Sequence, residues 1–401
     1  MSSPVTDPKR VLMLTTNFPK RVRGDTTGTF VYDLAHSLSK DHDVLVVAPH
    51  DQGTTRSRET VSNRFTIERV RYFWPRRFQR LAYGFGIPDN IRRSRLARIQ
   101  LPLLILAFVV AAIRRSRDRD LIICHWTLTA LAALPTRSLR RIPIVLVIHG
   151  ADIRLPPRWF TRWLLNRVDR IVSAHDDLLE FVDDLHISTP TRRIRNLTGP
   201  LPRQTPAERE ELRHELGLGE GPYVVFVGRL SEFKDPITLV HAAPNVLAEI
   251  PMARFLIVGD GPLRPDLEKS IDDLDLQDAV TVTGHRSDVL EILGLATVFV
   301  AISPITNLWS TTLIEAMRAG IPCVVSDAGG AAAVLAHRQH ALLVPPQSPP
   351  RLAEAIVELL SDPELRLRIA RTATAFLKQD GFLPDQIEEA WRSLLKEVTV
   401  S

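Results

Sequence analysis

Short, mostly apolar, strand-like runs recur along the chain, and patterns of helical periodicity separate most of them. The runs are 10–15, 44–48, 121–124, 144–148 and 170–173 in the first half, then 223–227, 254–258, 280–283, 298–301 and 323–325 in the second. Strands that are apolar on both faces are typical of a parallel sheet covered by helices. The pattern therefore predicts two doubly wound α/β domains in succession.

A polar, proline-rich segment, 199–210, separates the two series and is expected to be a linker. We place the first domain at residues 1–200 and the second at residues 207–382. A final helical pattern follows the second series, and we expect this C-terminal helix, 383–401, to cross back onto the first domain. The 401 residues are enough to build more than one hydrophobic core.

The formal charge is divided unevenly along the chain. Residues 1–200 hold 33 basic and 18 acidic residues, a charge of +15, whereas the remainder holds 18 and 28, a charge of −10. Within residues 56–119 there are 16 basic and 4 acidic residues. This asymmetry indicates that the first half meets an anionic ligand or surface. No nucleic-acid-binding motif accompanies it, so nucleic acid is not the expected partner.

An apolar run at 101–113 lies between two groups of arginines. Arg92, Arg93, Arg95 and Arg98 precede it, and Arg114, Arg115, Arg117 and Arg119 follow it. The run is shorter than the roughly 20 residues that span a bilayer, and a basic, partly apolar helix tends to lie on lipid. Two interpretations stay open: a core helix with solvated ends, or peripheral contact with an anionic membrane through Arg92, Arg93 and Arg95.

The expected location is the cytoplasm, with peripheral contact on the inner face of the membrane. Residues 1–9 are polar and lack the apolar core of a signal peptide. Cys124 and Cys323 both sit inside apolar runs and are expected to be buried thiols. No cluster of histidines or carboxylates has the spacing of metal ligands, so no metal site and no cofactor are predicted.

Polar residues follow the strands of the second series at the points where those strands end. Arg229 and Lys234, five apart across a turn, can clamp a diphosphate, and Gly228 lets the backbone approach it closely. Gly259 lies in a second strand-end turn, where a purely structural role is the alternative. Arg286 follows a third strand, where backbone groups could meet a base. Ligands of doubly wound sheets bind at this edge.

The segment 303–322 predicts a loop and a helix start at the end of another strand. Ser310, Thr311, Thr312 and Leu313 open the helix, and Glu315 lies about one turn inside it. Free N–H groups and the helix dipole favour an anion at such a start. A carboxylate one turn further suits ribose hydroxyls, which need acceptors. The segment is therefore interpreted as a nucleotide-binding element.

Two features of the first half are candidates for the same kind of cleft. His149 stands at the tip of a strand beside a glycine, where it could bind a substrate hydroxyl or accept a proton, although a core histidine is the alternative. His125 is a weaker case of the same kind. The loop ending in Gly28 follows the first strand and could face a phosphate. It is not a Gly-x-Gly-x-x-Gly fingerprint, which argues against an oxidoreductase.

The order of these motifs resembles the retaining family-4 glycosyltransferases of GT-B fold. The motifs are the glycine loop, His-Gly-x-Asp, Val-Gly-Arg-Leu with a following Lys, Val-Gly-Asp-Gly-Pro, Leu-Ile-Glu-Ala-Met-x-x-Gly-x-Pro and Ser-Asp-x-Gly-Gly. The likeness covers nearly the whole chain and is strongest from 223 to 345. It implies an α/β protein of two Rossmann-like domains facing across a cleft. The second domain would bind the nucleotide sugar, and the first would bind the acceptor.

The resemblance also implies a role for each candidate residue. Arg229 and Lys234 match the pair that holds the donor diphosphate, Glu315 the carboxylate on the ribose, and His149 the histidine near the transferred sugar; these four are the expected catalytic residues. The expected donor-binding residues are Gly28, Gly228, Gly259, Arg286, Asn307, Ser310, Thr311, Thr312 and Leu313. The implied reaction moves a hexose-type sugar from a UDP- or GDP-sugar, with retention, to a lipid-linked or membrane-proximal glycan.

One position departs from the family pattern. The family usually carries two glutamates with seven residues between them, and the first falls here on Asn307. Asparagine can donate and accept hydrogen bonds but brings no charge. Two alternatives therefore stand beside the membrane-proximal transferase: a soluble transferase with a small acceptor, and a non-catalytic GT-B relative that binds nucleotide sugars.

Overall fold

The chain divides into two compact units, Met1–Gly199 with Pro384–Ser401, and Pro200–Leu383. The computed structural model describes residues 7–19, 28–50, 57–82, 87–304, 310–328 and 330–400. Within these described residues, each unit has one sheet with helices on both faces. This is the doubly wound α/β architecture that the apolar runs predicted.

In the described part of the first unit, eight strands form one sheet in the order β3-β4-β2-β1-β5-β6-β7-β8. The strands are β1 Arg10–Thr15, β2 Asp43–Pro49, β3 Arg58–Ser62, β4 Phe65–Val70, β5 Leu121–His125, β6 Ile144–Ile148, β7 Arg170–Ser173 and β8 Thr191–Arg193. Among the described strand pairs of this sheet, only β3–β4 is antiparallel. Leu12 and Leu14 join the core on one face, whereas Val11 and Met13 join the core on the other, so both faces are covered.

The helices of the first unit pack on these two faces. They are α1 Thr29–Leu38, α2 Ile87–Arg93, α3 Arg95–Arg115, α4 Thr127–Arg140, α5 Ala151–Arg154, α6 Arg158–Leu165 and α7 Asp176–Asp183. Leu104 and Phe108 of α3 are buried in one core, together with Ala130 of α4. Val31 of α1 belongs to the opposite core.

Six parallel strands form the sheet in the described part of the second unit, in the order β11-β10-β9-β12-β13-β14. Its strands are β9 Tyr223–Val227, β10 Arg254–Val258, β11 Val280–Gly284, β12 Ala296–Ala301, β13 Cys323–Ser326 and β14 Leu342–Val344. Its helices are α8 Pro206–Glu215, α9 Pro236–Glu249, α10 Arg264–Asp273, α11 Val289–Leu293, α12 Thr311–Arg318, α13 Pro349–Ser361 and α14 Pro363–Gln379.

The last helix, α15 (Pro384–Val400), packs on the first unit. Trp391 and Leu394 are buried in the same core as Val31. The Ser37 hydroxyl donates to Glu388 Oε1 at 2.7 Å, and Lys40 Nζ lies 2.8 Å from the same oxygen. Apolar packing and this charged cluster together hold the chain end against α1.

Two expectations about the elements need correction. The expected linker is shorter than 199–210, because α8 begins at Pro206, with Thr205 and Glu208 forming a reciprocal capping box. The apolar run 101–113 is part of a longer helix, since α3 has 21 residues. Among the described residues α3 alone is long and apolar enough to span a membrane, a test that buried core helices also pass. Cys124 and Cys323 are free and buried, which confirms that prediction.

Candidate functional site

In each sheet the winding direction reverses at one pair of neighbouring strands. The reversal lies between β1 and β5 in the first unit and between β9 and β12 in the second. The loops at the carboxyl ends of such a pair diverge to opposite faces of the sheet, which leaves a crevice where ligands of this architecture bind. The predicted site residues lie mostly at these two places.

The loop after β9 crosses the end of β10 in close backbone contact. The Gly228 N–H donates to the Val258 carbonyl at 3.0 Å. Gly259 has φ +142°, and a Cβ built on it would lie 1.9 Å from the Gly228 carbonyl oxygen. Only glycine fits there, so Gly259 has a structural explanation. Its expected donor contact, like that of Gly228, stays a prediction.

Lys234 ends this loop in partly buried surroundings. Burial lowers the pKa of its ammonium group, and no described carboxylate pairs with it. The adjacent Asp235 carboxylate instead accepts a hydrogen bond from the Thr238 hydroxyl at 2.7 Å. Arg229, the other member of the expected pair, is exposed. A desolvated cation without a counter-ion is unfavourable, and a bound anion would offset that cost.

Helix α12 begins beside the end of β9. Ser310 caps the helix, since its hydroxyl accepts the Leu313 N–H at 3.2 Å. The Thr312 hydroxyl donates to the Val227 carbonyl at 3.4 Å, which joins the helix start to the residue before Gly228. The Leu313 N–H is therefore engaged and its side chain is buried. The remaining first-turn N–H groups, including that of Thr311, have no partner within a helix.

Glu315 lies one turn inside α12 and is partly buried. Burial lowers the pKa of the neighbouring Arg318 guanidinium, and the charge of Glu315 opposes that shift. Arg286 is differently placed, because its guanidinium lies 2.6 Å from Asp288 and 2.9 Å from Glu215, and these hydrogen bonds raise its pKa. Its charge is thus already balanced inside the unit. Asn307 lies outside the described residues.

In the first unit, Gly28 caps α1 with φ +75°. A Cβ on it would lie 2.9 Å from the Asn17 carbonyl oxygen, so this turn also requires glycine. Phe30 follows and contacts His149, with 5.0 Å between ring centroids. One turn after Phe30, burial raises the pKa of the Asp33 carboxyl to about 7.

His149 follows β6 and is surrounded by aromatic rings. Trp126 lies 4.6 Å and His125 5.2 Å from it, between ring centroids. The backbone N–H groups of His149 and Gly150 donate to Asp152 Oδ1 at 3.3 and 3.0 Å, so the carboxylate fixes the backbone at the end of the strand. Burial lowers the pKa of His149 well below its usual value, with His125 and His175 adding to the shift. The ring is neutral at pH 7.

His125 contacts His149 directly, although the sequence predicted only a weak candidate at this position. Its Nδ1 lies 3.0 Å from His149 Nε2, and burial lowers its pKa to about 3. The two strands are neighbours in the sheet, and His125 is in register with Val147. Its position at the end of a buried strand was the signal that could have given it more weight.

The remaining predicted residues lie around α2 and α3. Arg92 and Arg95 are exposed, and Arg93 is the last residue of α2. Among the described side chains, no group of three or more His, Cys, Asp or Glu residues is arranged to hold a metal ion.

The comparisons with known proteins agree with this architecture. Residues 26–196 match the family described as Glycosyl transferase 4-like domain, and residues 208–376 match Glycosyl transferases group 1. The chain belongs to the glycosyltransferases of GT-B fold. Together the two matches cover most of both units, including the strand ends described above.

Two relatives and one solved structure illustrate the likeness. The chain is 36% identical over 171 residues to alpha-D-kanosaminyltransferase of Streptomyces kanamyceticus, covering 42% of this chain and 44% of the relative. It is 37% identical over 169 residues to GDP-mannose-dependent alpha-(1-6)-phosphatidylinositol monomannoside mannosyltransferase of Mycobacterium tuberculosis, covering 40% and 44%. The match thus spans less than half of each relative. Anabaena HepE, solved with UDP and glucose, shares the fold with a TM-score of 0.74 at 19% identity, covering 97% and 99% of the two chains.

Proposed function

We propose that this protein transfers a hexose-type sugar, with retention, from a nucleotide sugar to a lipid-linked or membrane-proximal glycan. Family membership supports glycosyl transfer. We infer that the donor carries UDP or GDP, because one structurally similar protein was solved with UDP and one relative is named for GDP-mannose. The latter name also contains a lipid acceptor, which supports an acceptor of that class here.

The observation that carries the proposal is the position of Lys234. Its ammonium group is desolvated without a described carboxylate partner, at the reversal point of the second sheet and close in the chain to the Gly228 turn. The start of α12 is joined to the same strand end through Thr312. A diphosphate bound there would meet a cation and a helix N-terminus together.

The chemistry needs no nucleophile from the protein. An acceptor hydroxyl oxygen forms the bond to the anomeric carbon on the face that the diphosphate leaves, the bond to the diphosphate breaks, and the hydroxyl proton passes to a leaving phosphate oxygen. Arg229 and Lys234 offset the negative charge that develops on that group. Glu315 accepts from the ribose hydroxyls, and neutral His149 binds a hydroxyl of the sugar.

A non-catalytic nucleotide-sugar-binding protein is the second candidate, and Asn307 favours it. If an anionic group at that position stabilises a positively charged sugar in the transition state, its absence slows transfer without abolishing donor binding. Measurable glycosyl transfer or donor hydrolysis by the purified protein would reject this candidate.

Calorimetric titration of UDP and GDP into the full chain tests the proposal. We expect Lys234→Ala and Arg229→Ala each to weaken binding by about ten- to a hundredfold, since each removes a charge-assisted contact. Lys269→Ala removes an exposed lysine of α10 in the same unit and is the matched control. Unchanged affinity in both variants, or an equal loss in the control, would overturn the assignment of the diphosphate site.

A further inference from the structure

Helix α3 has one face inside the first unit. Leu104, Phe108 and Ala112 are fully buried in its core. Gln100 is also buried, and its amide donates to the Phe78 carbonyl at 2.6 Å while its oxygen accepts the Arg80 N–H at 2.9 Å. The helix is therefore fixed along its length against the domain, so it cannot cross a bilayer without leaving that core.

The opposite face of α3 exposes four large aliphatic side chains in one line. Ile99 is 65% exposed, Leu103 39%, Leu106 58% and Val110 37%. Their spacing of four, three and four residues places them on one side of the helix. We call these four residues the α3 stripe. At 1.5 Å per residue it is about 17 Å long.

Exposed arginines stand at both ends of the α3 stripe. Arg95 lies four residues before Ile99 and Arg114 four residues after Val110, on the same side of the helix. No described carboxylate pairs with either arginine, or with Arg92 or Arg117 nearby. The sequence of α3 contains no acidic residue at all. Apolar length and unbalanced positive charge therefore coincide on one surface.

A turn beside the N-terminal end of α3 has the same composition. It is joined to the helix through the bond from Gln100 to Phe78, and it exposes Trp74 together with Phe78. Arg76 and Arg77 lie between these aromatic residues in the chain. Tryptophan with arginine is typical of groups at the boundary between lipid headgroups and acyl chains.

The charges distinguish between two partners that could cover the α3 stripe. A second copy pairing through the same helix would bring Arg95 near Arg95 or near Arg114, depending on the direction, and like charges would meet either way. Anionic headgroups would instead neutralise both ends, while the aliphatic side chains enter the acyl boundary.

We propose that the α3 stripe is the surface through which this protein docks on an anionic lipid bilayer, with α3 lying parallel to the membrane plane. The role of this docking surface rests on the proposed function, since an acceptor in the membrane requires an enzyme at the membrane. Its physical basis is independent of catalysis, so the two can fail separately.

Flotation of the full chain with vesicles tests the docking surface. The vesicles are phosphatidylcholine alone, or phosphatidylcholine mixed with phosphatidylglycerol. We expect binding to the anionic vesicles only. Leu106→Glu should lower the partition coefficient by about tenfold or more, because it removes apolar surface from the acyl boundary and places a negative charge against anionic headgroups. Arg95→Gln should lower it about fivefold, and added salt should lower it further.

The matched control is Leu367→Glu on α14 of the second unit, where the leucine is 57% exposed. Thermal melts verify that the variants fold, and Ile99→Ser provides a second probe of the α3 stripe. Equal binding of Leu106→Glu and wild type, or no binding to anionic vesicles, would overturn the proposal. Concentration-dependent dimers that Leu106→Glu abolishes would assign the α3 stripe to a second copy instead. UDP and GDP titrations in lipid-free buffer report separately on the proposed function.

Discussion

The Nδ1 atom of His125 lies 3.0 Å from the Nε2 atom of His149, and the two rings are inclined by 11°. Burial lowers the pKa of both, so one neutral imidazole donates to the other. In the proposed reaction, the other ring nitrogen of His149, Nδ1, is the atom that binds the sugar hydroxyl. His125 is therefore a positioning residue for His149 in the proposed reaction.

Replacing His125 should affect turnover more than donor affinity. We expect His125→Ala to lower kcat about tenfold with little change in the KM for the donor, because His149 loses the partner that fixes its ring. His125→Asn should recover most of the activity, since its amide can occupy the position of Nδ1. Steady-state kinetics measure both, and an equal loss of kcat in the two variants would instead indicate a purely structural role.

Asp33 should make stability fall with rising pH. Burial raises the pKa of its carboxyl from 3.8 to about 7. As the pH rises, the unfolded chain therefore releases this proton before the folded chain does. Stability is highest below pH 3.8 for this group alone and is lost progressively up to about pH 7. Asp33→Asn removes the effect, so it should stabilise the protein at pH 8 by up to about 4 kcal/mol and much less at pH 5. Urea unfolding at both pH values checks this, and a pH-independent difference would contradict it.

The buried charge of Lys234 should lower the stability of the ligand-free protein, although we propose that the same charge binds the nucleotide. Since burial lowers the pKa of its ammonium group, the folded state at pH 7 holds a desolvated charge. Lys234→Met should therefore raise the free energy of unfolding of the ligand-free protein by about 1 kcal/mol while it weakens UDP or GDP binding. Denaturant melts with and without nucleotide measure both effects. A variant that is less stable and still binds would show that the lysine is structural.

Gly259 should tolerate a side chain far less well than Gly320. A Cβ at Gly259 meets the Gly228 carbonyl oxygen at 1.9 Å, whereas nothing lies within 4 Å of a Cβ at Gly320. Both glycines have positive φ, 142° at Gly259 and 74° at Gly320, so alanine strains the backbone at either position by about 1–3 kcal/mol. Gly259→Ala adds a clash and should cost clearly more than Gly320→Ala in unfolding free energy. Equal costs would mean that the β9 loop moves freely away from β10.

The central strands of both sheets could be predicted because they are continuously apolar, as at 121–124 and 223–227. The strand β3 has exposed and partly buried residues in alternation at the sheet edge, so it carries no such signal. The strands β8 and β14 have three residues each, too short for a pattern. The prolines of 199–210 predict a linker, whereas Pro206 occupies the first turn of α8.

The candidate site could be predicted only where residues close together in the sequence form it. The Ser310 cap and the placement of Glu315 one turn into α12 follow from local sequence. The contact of His125 with His149 depends on which strands are neighbours and on their register, and one sequence does not encode either in a readable way. The ion pair between Arg286 and Glu215, 71 residues apart in the chain, could not be predicted for the same reason.

The packing of α15 on α1 has a consequence for how this protein can be divided. The first unit is built from two separate stretches of chain, while the second is one uninterrupted stretch between them. Stopping translation at Gly199 would remove Trp391 and uncover the apolar surface around Val31. The second unit can thus be expressed as a single segment, whereas the first unit must be expressed with residues 1–199 joined to residues 384–401.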